Sequence, residues 1–250
     1  MKKTALLLAT LFLLLTGYSQ DSIITFKPLV LANNNLQMRV NTPEKAVTHP
    51  KLVVYLHGAG ERGTDNSFQL KHLNGWLQQC GNKGALDSVI FFAPQCPLGQ
   101  KWVDVDWKDT IYHFPDTANV AMRQVLNAVD SLQQQYHIAN EDIVLIGMSM
   151  GGIGVIQLAH LNPGRFGGIA CICGGLDLSN LSLKKERIWF FHGLADKLVR
   201  PKSVKQFTTE NAANPNIRFT PYEGVGHNAW DFAFKECELM PWLLNTKKLR

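Results

Sequence analysis

A chain of 250 residues, 46% hydrophobic and 18% charged, is long enough to bury one large core and falls within the usual size of a single α/β domain. Its formal charge of +5 drops to +3 once Lys2 and Lys3 are set aside, which is too mild to point to a nucleic-acid partner. The other basic residues read as scattered, apart from a solvated tail at Lys247–Arg250, and His72, His113, His137 and His160 show no metal-ligand spacing.

The chain starts with Lys2 and Lys3, then an apolar run over Ala5–Leu15 broken only by Thr10, then Gly17 and Ser19 as small residues. These are the three regions of a secretory signal peptide cut between Ser19 and Gln20. The run is shorter than the roughly 20 residues that span a bilayer, so no stable membrane insertion is expected after cleavage. The reading is residues 1–19 as leader and 20–250 as one catalytic domain, exported to the periplasm or the cell exterior. Five cysteines remain in that exported chain. Cys80 and Cys96 flank one strand and could pair, whereas Cys171 and Cys173 read as small buried hydrophobes.

Short β-rich runs then alternate with longer helical stretches, the signature of a mostly parallel sheet covered on both faces. Strands are predicted over Ile23–Leu31, Leu36–Asn41, Leu52–His57, Val89–Ala93, Ile143–Gly147, Ile169–Cys173, Ile188–His192 and Ile217–Tyr222. The first two are close together across N-N-N and are expected to form an antiparallel start to the sheet. Helical spacing appears over Ala118–Tyr136, with Val120, Val125, Val129 and Leu132 on one face, and over Lys202–Ala212 and Ala229–Leu243. Ile153–His160 suits a buried helix. Residues 94–117 form the longest non-periodic stretch, and long loops in compact domains tend to be functional. Within them, Asp104, Asp106 and Asp109 read as a solvated acidic loop rather than a calcium site.

The most informative stretch is Ile143–Gly152, I-V-L-I-G-M-S-M-G-G, an apolar strand running into a glycine-flanked serine. A serine on a sharp strand-to-helix turn needs nearly side-chain-free residues two before and two after it, and Gly147 and Gly151 occupy those positions. The bare five-residue pattern arises by accident in very roughly one chain in ten of this length, so partners are needed. A serine hydroxyl needs a base, and the base needs a carboxylate to fix its tautomer. Asp196, in H-G-L-A-D, and His227, in G-V-G-H-N, follow Ser149 in the order Ser, Asp, His, each just past a strand end. Asp177 is the alternative acid, and His192 reads as packed at the end of a buried strand. A glycine-rich turn in Leu52–Gly63, L-V-V-Y-L-H-G-A-G-E-R-G, can leave backbone N–H groups facing an oxyanion. The donors are assigned to Met150 and Ala59, with Gly60 as the alternative to Ala59.

These residues resemble the α/β-hydrolase superfamily over nearly all of Leu36–Leu243. Within it they are similar to the secreted esterase group that includes dienelactone-hydrolase-like and polyhydroxybutyrate-depolymerase-like proteins, often labelled predicted peptidases. The resemblance is carried by L-H-G-A-G-E-R-G-T-D-N at Leu56–Asn66, A-P-Q-C at Ala93–Cys96, G-M-S-M-G-G at Gly147–Gly152, H-G-L-A-D at His192–Asp196 and G-V-G-H-N-A-W at Gly224–Trp230. It implies an eight-stranded, mostly parallel sheet without a large cap and a Ser149–His227–Asp196 triad with no metal or organic cofactor. The expected partner is a small-molecule or oligosaccharide ester. Trp76, Trp102, Trp107 and Trp230, with Tyr112 and Phe114, are candidates to stack on a sugar or aromatic acyl group; packing of the loops is the other reading. A serine peptidase with the same triad and a noncatalytic carbohydrate-binding protein are the rival functions.

Overall fold

The computed structural model describes residues 24–79, 86–109, 111–179 and 181–245. The leader reading, Cys80 and the basic tail lie outside them. The strands are β1 (Lys27–Pro28), β2 (Gln37–Asn41), β3 (Lys51–Leu56), β4 (Val89–Gln95), β5 (Ile143–Met148), β6 (Gly168–Ile172), β7 (Ile188–Gly193) and β8 (Ile217–Tyr222). The helices are α1 (Lys71–Gln79), α2 (Val120–Tyr136), α3 (Met150–Leu161), α4 (Lys202–Glu210), α5 (Trp230–Ala233) and α6 (Leu239–Leu244).

The eight strands form one sheet in the order β1-β2-β4-β3-β5-β6-β7-β8. The β1–β2 and β2–β4 pairs are antiparallel and every other pair is parallel. Strand alternation divides the core. Leu52, Val54, Leu56, Leu145, Ile169, Ile188 and Phe190 face α2, α3 and α4. Val53, Tyr55, Val144, Ile146, Ala170, Trp189 and Phe191 face α1, α5 and α6. Both faces are covered, so the central strands carry continuous apolar sequence. The helix α3 is buried from Met150 through Ala159 and runs through the core rather than along its surface.

Three expected elements change. The long first strand shrinks to Lys27–Pro28, because Pro28 has no N–H to donate and the strand lies at the sheet edge. The predicted Ala229–Leu243 helix is two helices; Pro241 cannot donate one turn back, so the second helix restarts at Leu239 and holds Pro241 in its first turn. Val120 was expected on the apolar face of its helix, but it is the first residue of α2 and is exposed, and the buried stripe starts at Ala121 and Met122. That helix is capped by Asn119, whose side chain accepts the Met122 N–H at 3.0 Å.

Candidate active site

Ser149 sits between β5 and α3 with φ 54° and ψ −119°, a strained conformation for a residue with a side chain. The flanking glycines make the turn possible. A Cβ on Gly147 would lie 2.2 Å from the Gly151 carbonyl oxygen, and one on Gly151 would lie 1.9 Å from that of Leu56. The start of α3 is thereby pressed against the end of β3. This brings Met150 and the turn at Gly58–Ala59 to the same place: a Cβ on Gly58 would stand 3.5 Å from that of Ser149. Ala59 opens a short 3₁₀ turn and Met150 opens α3, positions whose N–H groups have no partner within their own helices.

The loops after β7 and β8 are zipped together beyond the strand ends. Leu194 donates its N–H to the Tyr222 carbonyl and Ala195 to that of Val225, both at 2.9 Å. A side chain on Gly193 would strike the Gly226 carbonyl oxygen at 2.2 Å, so the contact is backbone on backbone. Asp196 and His227 therefore meet: His227 Nδ1 lies 2.7 Å from Asp196 Oδ2, and His227 Nε2 lies 2.7 Å from Ser149 Oγ. An ionised carboxylate only accepts, which fixes the hydrogen on Nδ1 and leaves Nε2 to accept from the serine hydroxyl.

Asp196 is itself saturated. Its Oδ1 accepts the N–H groups of Leu198 and Val199 at 2.8 and 3.0 Å. Its Oδ2 also lies 3.3 Å from His192 Nε2, which is 2.8 Å from the Val199 carbonyl oxygen. Burial opposes ionisation, but the hydrogen bonds from His192, His227 and Leu198 hold the carboxyl well below the ordinary carboxylate range. The alternative acid, Asp177, is spent elsewhere: it accepts the Phe114 N–H at 2.8 Å and bonds to Ser179.

The Gly58–Ala59 turn is held by residues whose role sequence reasoning did not identify. His57 is fully buried; its Nε2 accepts the Cys96 N–H at 2.9 Å, so Nδ1 carries the hydrogen and donates to the Gly58 carbonyl at 2.6 Å. Burial, only partly offset by that bond, lowers its pKa to about 4. Gln95 donates to the Glu61 carbonyl at 3.2 Å and accepts the Asn66 N–H at 2.8 Å. The A-P-Q-C segment thus latches the turn to the end of β4, and the position of His57 just before G-A-G was the available signal. Cys96 is a free, buried thiol, with its pKa pushed up to about 12 by burial. Glu61 is buried under the same turn, with Oε1 3.4 Å from His72 Nε2.

The tryptophans separate. Trp76 is 1% exposed and stacks on Phe234 in the core, and Trp102 is fully buried and donates its indole N–H to the His57 carbonyl at 3.0 Å. Neither can line a substrate cleft, which corrects the expectation for both: Trp76 is on the core-facing side of α1, and Trp102, though in a loop, is drawn inward to cover the sheet. Tyr112 and Phe114 are buried likewise. Trp107 and Trp230 are half-buried. Trp230 packs edge-on against His227 with ring centres 5.4 Å apart, while Lys101 and Arg62 lie over the Trp107 ring.

Among solved structures, a thermostable esterase is similar, with a TM-score of 0.77 and 28% identity over 88% of this chain. The chain spans 63% of that protein's length. A feruloyl esterase module from Clostridium thermocellum, complexed with sinapinate, gives a TM-score of 0.62 over 90% of this chain and 89% of its own. At 11% identity that is a likeness of fold. Among curated proteins, a probable inactive carboxylesterase of Oryza sativa subsp. japonica is 24% identical over 208 residues, which is 75% of this chain and 82% of that protein. A family model described as phospholipase/carboxylesterase matches residues 37–238, and on that match, with the sheet order and the serine turn, the chain belongs to the phospholipase/carboxylesterase family of α/β-hydrolases.

Proposed function

We propose that the protein is an exported serine hydrolase that cleaves carboxylic esters through an acyl-enzyme. The observation that carries this reading is the continuous relay from Ser149 Oγ through His227 to Asp196, with both hydrogen bonds at 2.7 Å. In the first half-reaction His227 Nε2 takes the hydroxyl proton as Ser149 Oγ attacks the ester carbonyl. The N–H groups of Ala59 and Met150 receive the negative charge on the tetrahedral intermediate, an interaction typically worth about 2.7–4 kcal/mol per donor. His227 then passes the proton to the departing alkoxide, and the alcohol leaves. In the second half a water, deprotonated by His227, releases the acid and restores the serine. Asp196 stays ionised throughout, holding the Nδ1 hydrogen and stabilising the imidazolium.

For the substrate, the half-buried Trp230 supports an acyl or feruloyl ester carried on carbohydrate, since a flat ring beside the relay suits a sugar or an aromatic acyl group. The leader-like residues 1–19 support export, and the mature protein is expected to begin near Gln20 by intact mass. Fluorophosphonate labelling of the purified protein, with peptide mass mapping, tests the mechanism. One adduct on Ser149, absent in Ser149→Ala, is expected together with loss of p-nitrophenyl acetate turnover by at least about 10⁴-fold. Wild-type turnover in Ser149→Ala would overturn the assignment.

A further inference from the structure

The β7–α4 loop and the first turn of α4 border a groove of about 540 Å³ lined by Asp196, Lys197, Arg200, Pro201, Lys202 and Lys205. Ligand sites generally fall between about 300 and 1,000 Å³. Four of its six lining residues are cations, and no acidic residue occurs between Asp196 and Glu210. All four are exposed, and none of their side chains makes a hydrogen bond or ion pair with a described residue. Elsewhere on the surface cations find carboxylates: Arg165 pairs with Asp130, and Arg218 with Glu238 at 2.9 Å. Asp196 cannot neutralise the groove by pairing, because its side chain is turned fully inward and both oxygens are engaged.

Four like charges gathered around one concavity repel one another, and an anionic occupant would relieve that repulsion. Arg200 adds a planar fork suited to a carboxylate or sulfate, and the lysines add point charges on apolar stems that can lie along a sugar ring. The groove meets the relay at one residue, Asp196. Its Asp196 wall is one hydrogen bond from His227 and, across that imidazole, one more from Ser149. Neither Ser149 nor His227 lines the groove, so an anion seated there lies to one side of the scissile ester rather than on it.

We propose that this groove is a subsite for an anionic substituent, a carboxylate or sulfate, carried on an oligosaccharide that also bears the ester. The assignment rests on the ester-hydrolase reading for its link to catalysis. Binding to the groove itself is testable without turnover.

The test is titration calorimetry on Ser149→Ala protein with three probes of similar size: trigalacturonate, a sulfated disaccharide and neutral xylotriose. At least one anionic probe is expected to bind about tenfold more tightly than xylotriose at 20 mM NaCl, with most of that margin lost by 500 mM as screening shortens to a few ångströms. Trigalacturonate alone identifies a uronate and the sulfated probe alone a sulfate ester; either result supports the subsite. The same margin should disappear in Ser149→Ala carrying Lys197→Gln, Arg200→Gln, Lys202→Gln and Lys205→Gln. It should persist when the three lysines become arginine, a control that keeps the charge and separates binding from folding. Equal affinity for all three probes, or a margin that survives the four glutamines, overturns the proposal. Because no step needs Ser149, such a failure is distinct from failure of fluorophosphonate labelling, which bears on the ester reading alone.

Discussion

The short turns after β3, β5, β7 and β8 and the long segment 94–117 lie at the same end of the sheet but are built on opposite principles. The turns after β5, β7 and β8 are set by backbone contacts, glycine against carbonyl or N–H against carbonyl, and the turn after β3 by the buried side chains of His57 and Gln95, so each has little room for adjustment. The long segment is anchored by buried aromatic side chains, Trp102, Tyr112 and Phe114, and contributes cover. Length and aromatic content marked it as the functional loop, yet much of it is core. The chemistry resides where the backbone is most constrained, because a relay of hydrogen bonds tolerates little displacement.

Substitutions can test how far that division holds. The most severe is expected for Gly151→Ala, whose Cβ would meet the Leu56 carbonyl oxygen at 1.9 Å. It should leave no soluble folded protein, judged by yield and far-ultraviolet circular dichroism; a folded, active variant would show that the turn has slack. Asp196→Asn removes the acceptor that sets the His227 tautomer. A fall of about 10⁴-fold in kcat on p-nitrophenyl acetate is expected from that loss. Next comes Trp102→Ala, a cavity under the turn that should cost about 3–5 kcal/mol in urea unfolding.

A pH experiment separates the turns from their cover. Neutral, buried His57 has a pKa held down to about 4, against about 6.5 in the unfolded chain. As pH falls the unfolded chain takes up the proton first. The contribution is therefore fully present above about pH 6.5 and is lost on acidification towards pH 4, by about 3 kcal/mol. Urea unfolding across that range should lose this part of its pH slope in His57→Gln; an unchanged slope would remove His57 as its source. The smallest effect is expected for Trp107→Ala, within about 0.5 kcal/mol in stability because the ring is only half-buried. A change in KM for an aromatic ester, with kcat held, would move Trp107 from cover to substrate contact.

Much of this was legible along the chain. Strand alternation and the serine turn are local signals, so the sheet and the three relay residues follow from periodicity, glycine spacing and chain order. The aromatic residues were ambiguous because stacking on a sugar and packing on a strand ask for the same side chains. The role of His57 stayed hidden because its partner, the Cys96 N–H, is 39 positions away.

The basic groove shows the remaining limit. Along the chain Lys197, Arg200, Lys202 and Lys205 read as scattered charges; only the bend from β7 into α4 turns them around one concavity. Sequence by itself determined which residues could act, the order in which they appear and the elements that carry them, because those depend on local sterics and the two- and 3.6-residue periods. Tertiary structure decided which aromatics are buried and which acid reaches the histidine. Those depend on distances between segments far apart in the chain, which are set by how the sheet and helices pack.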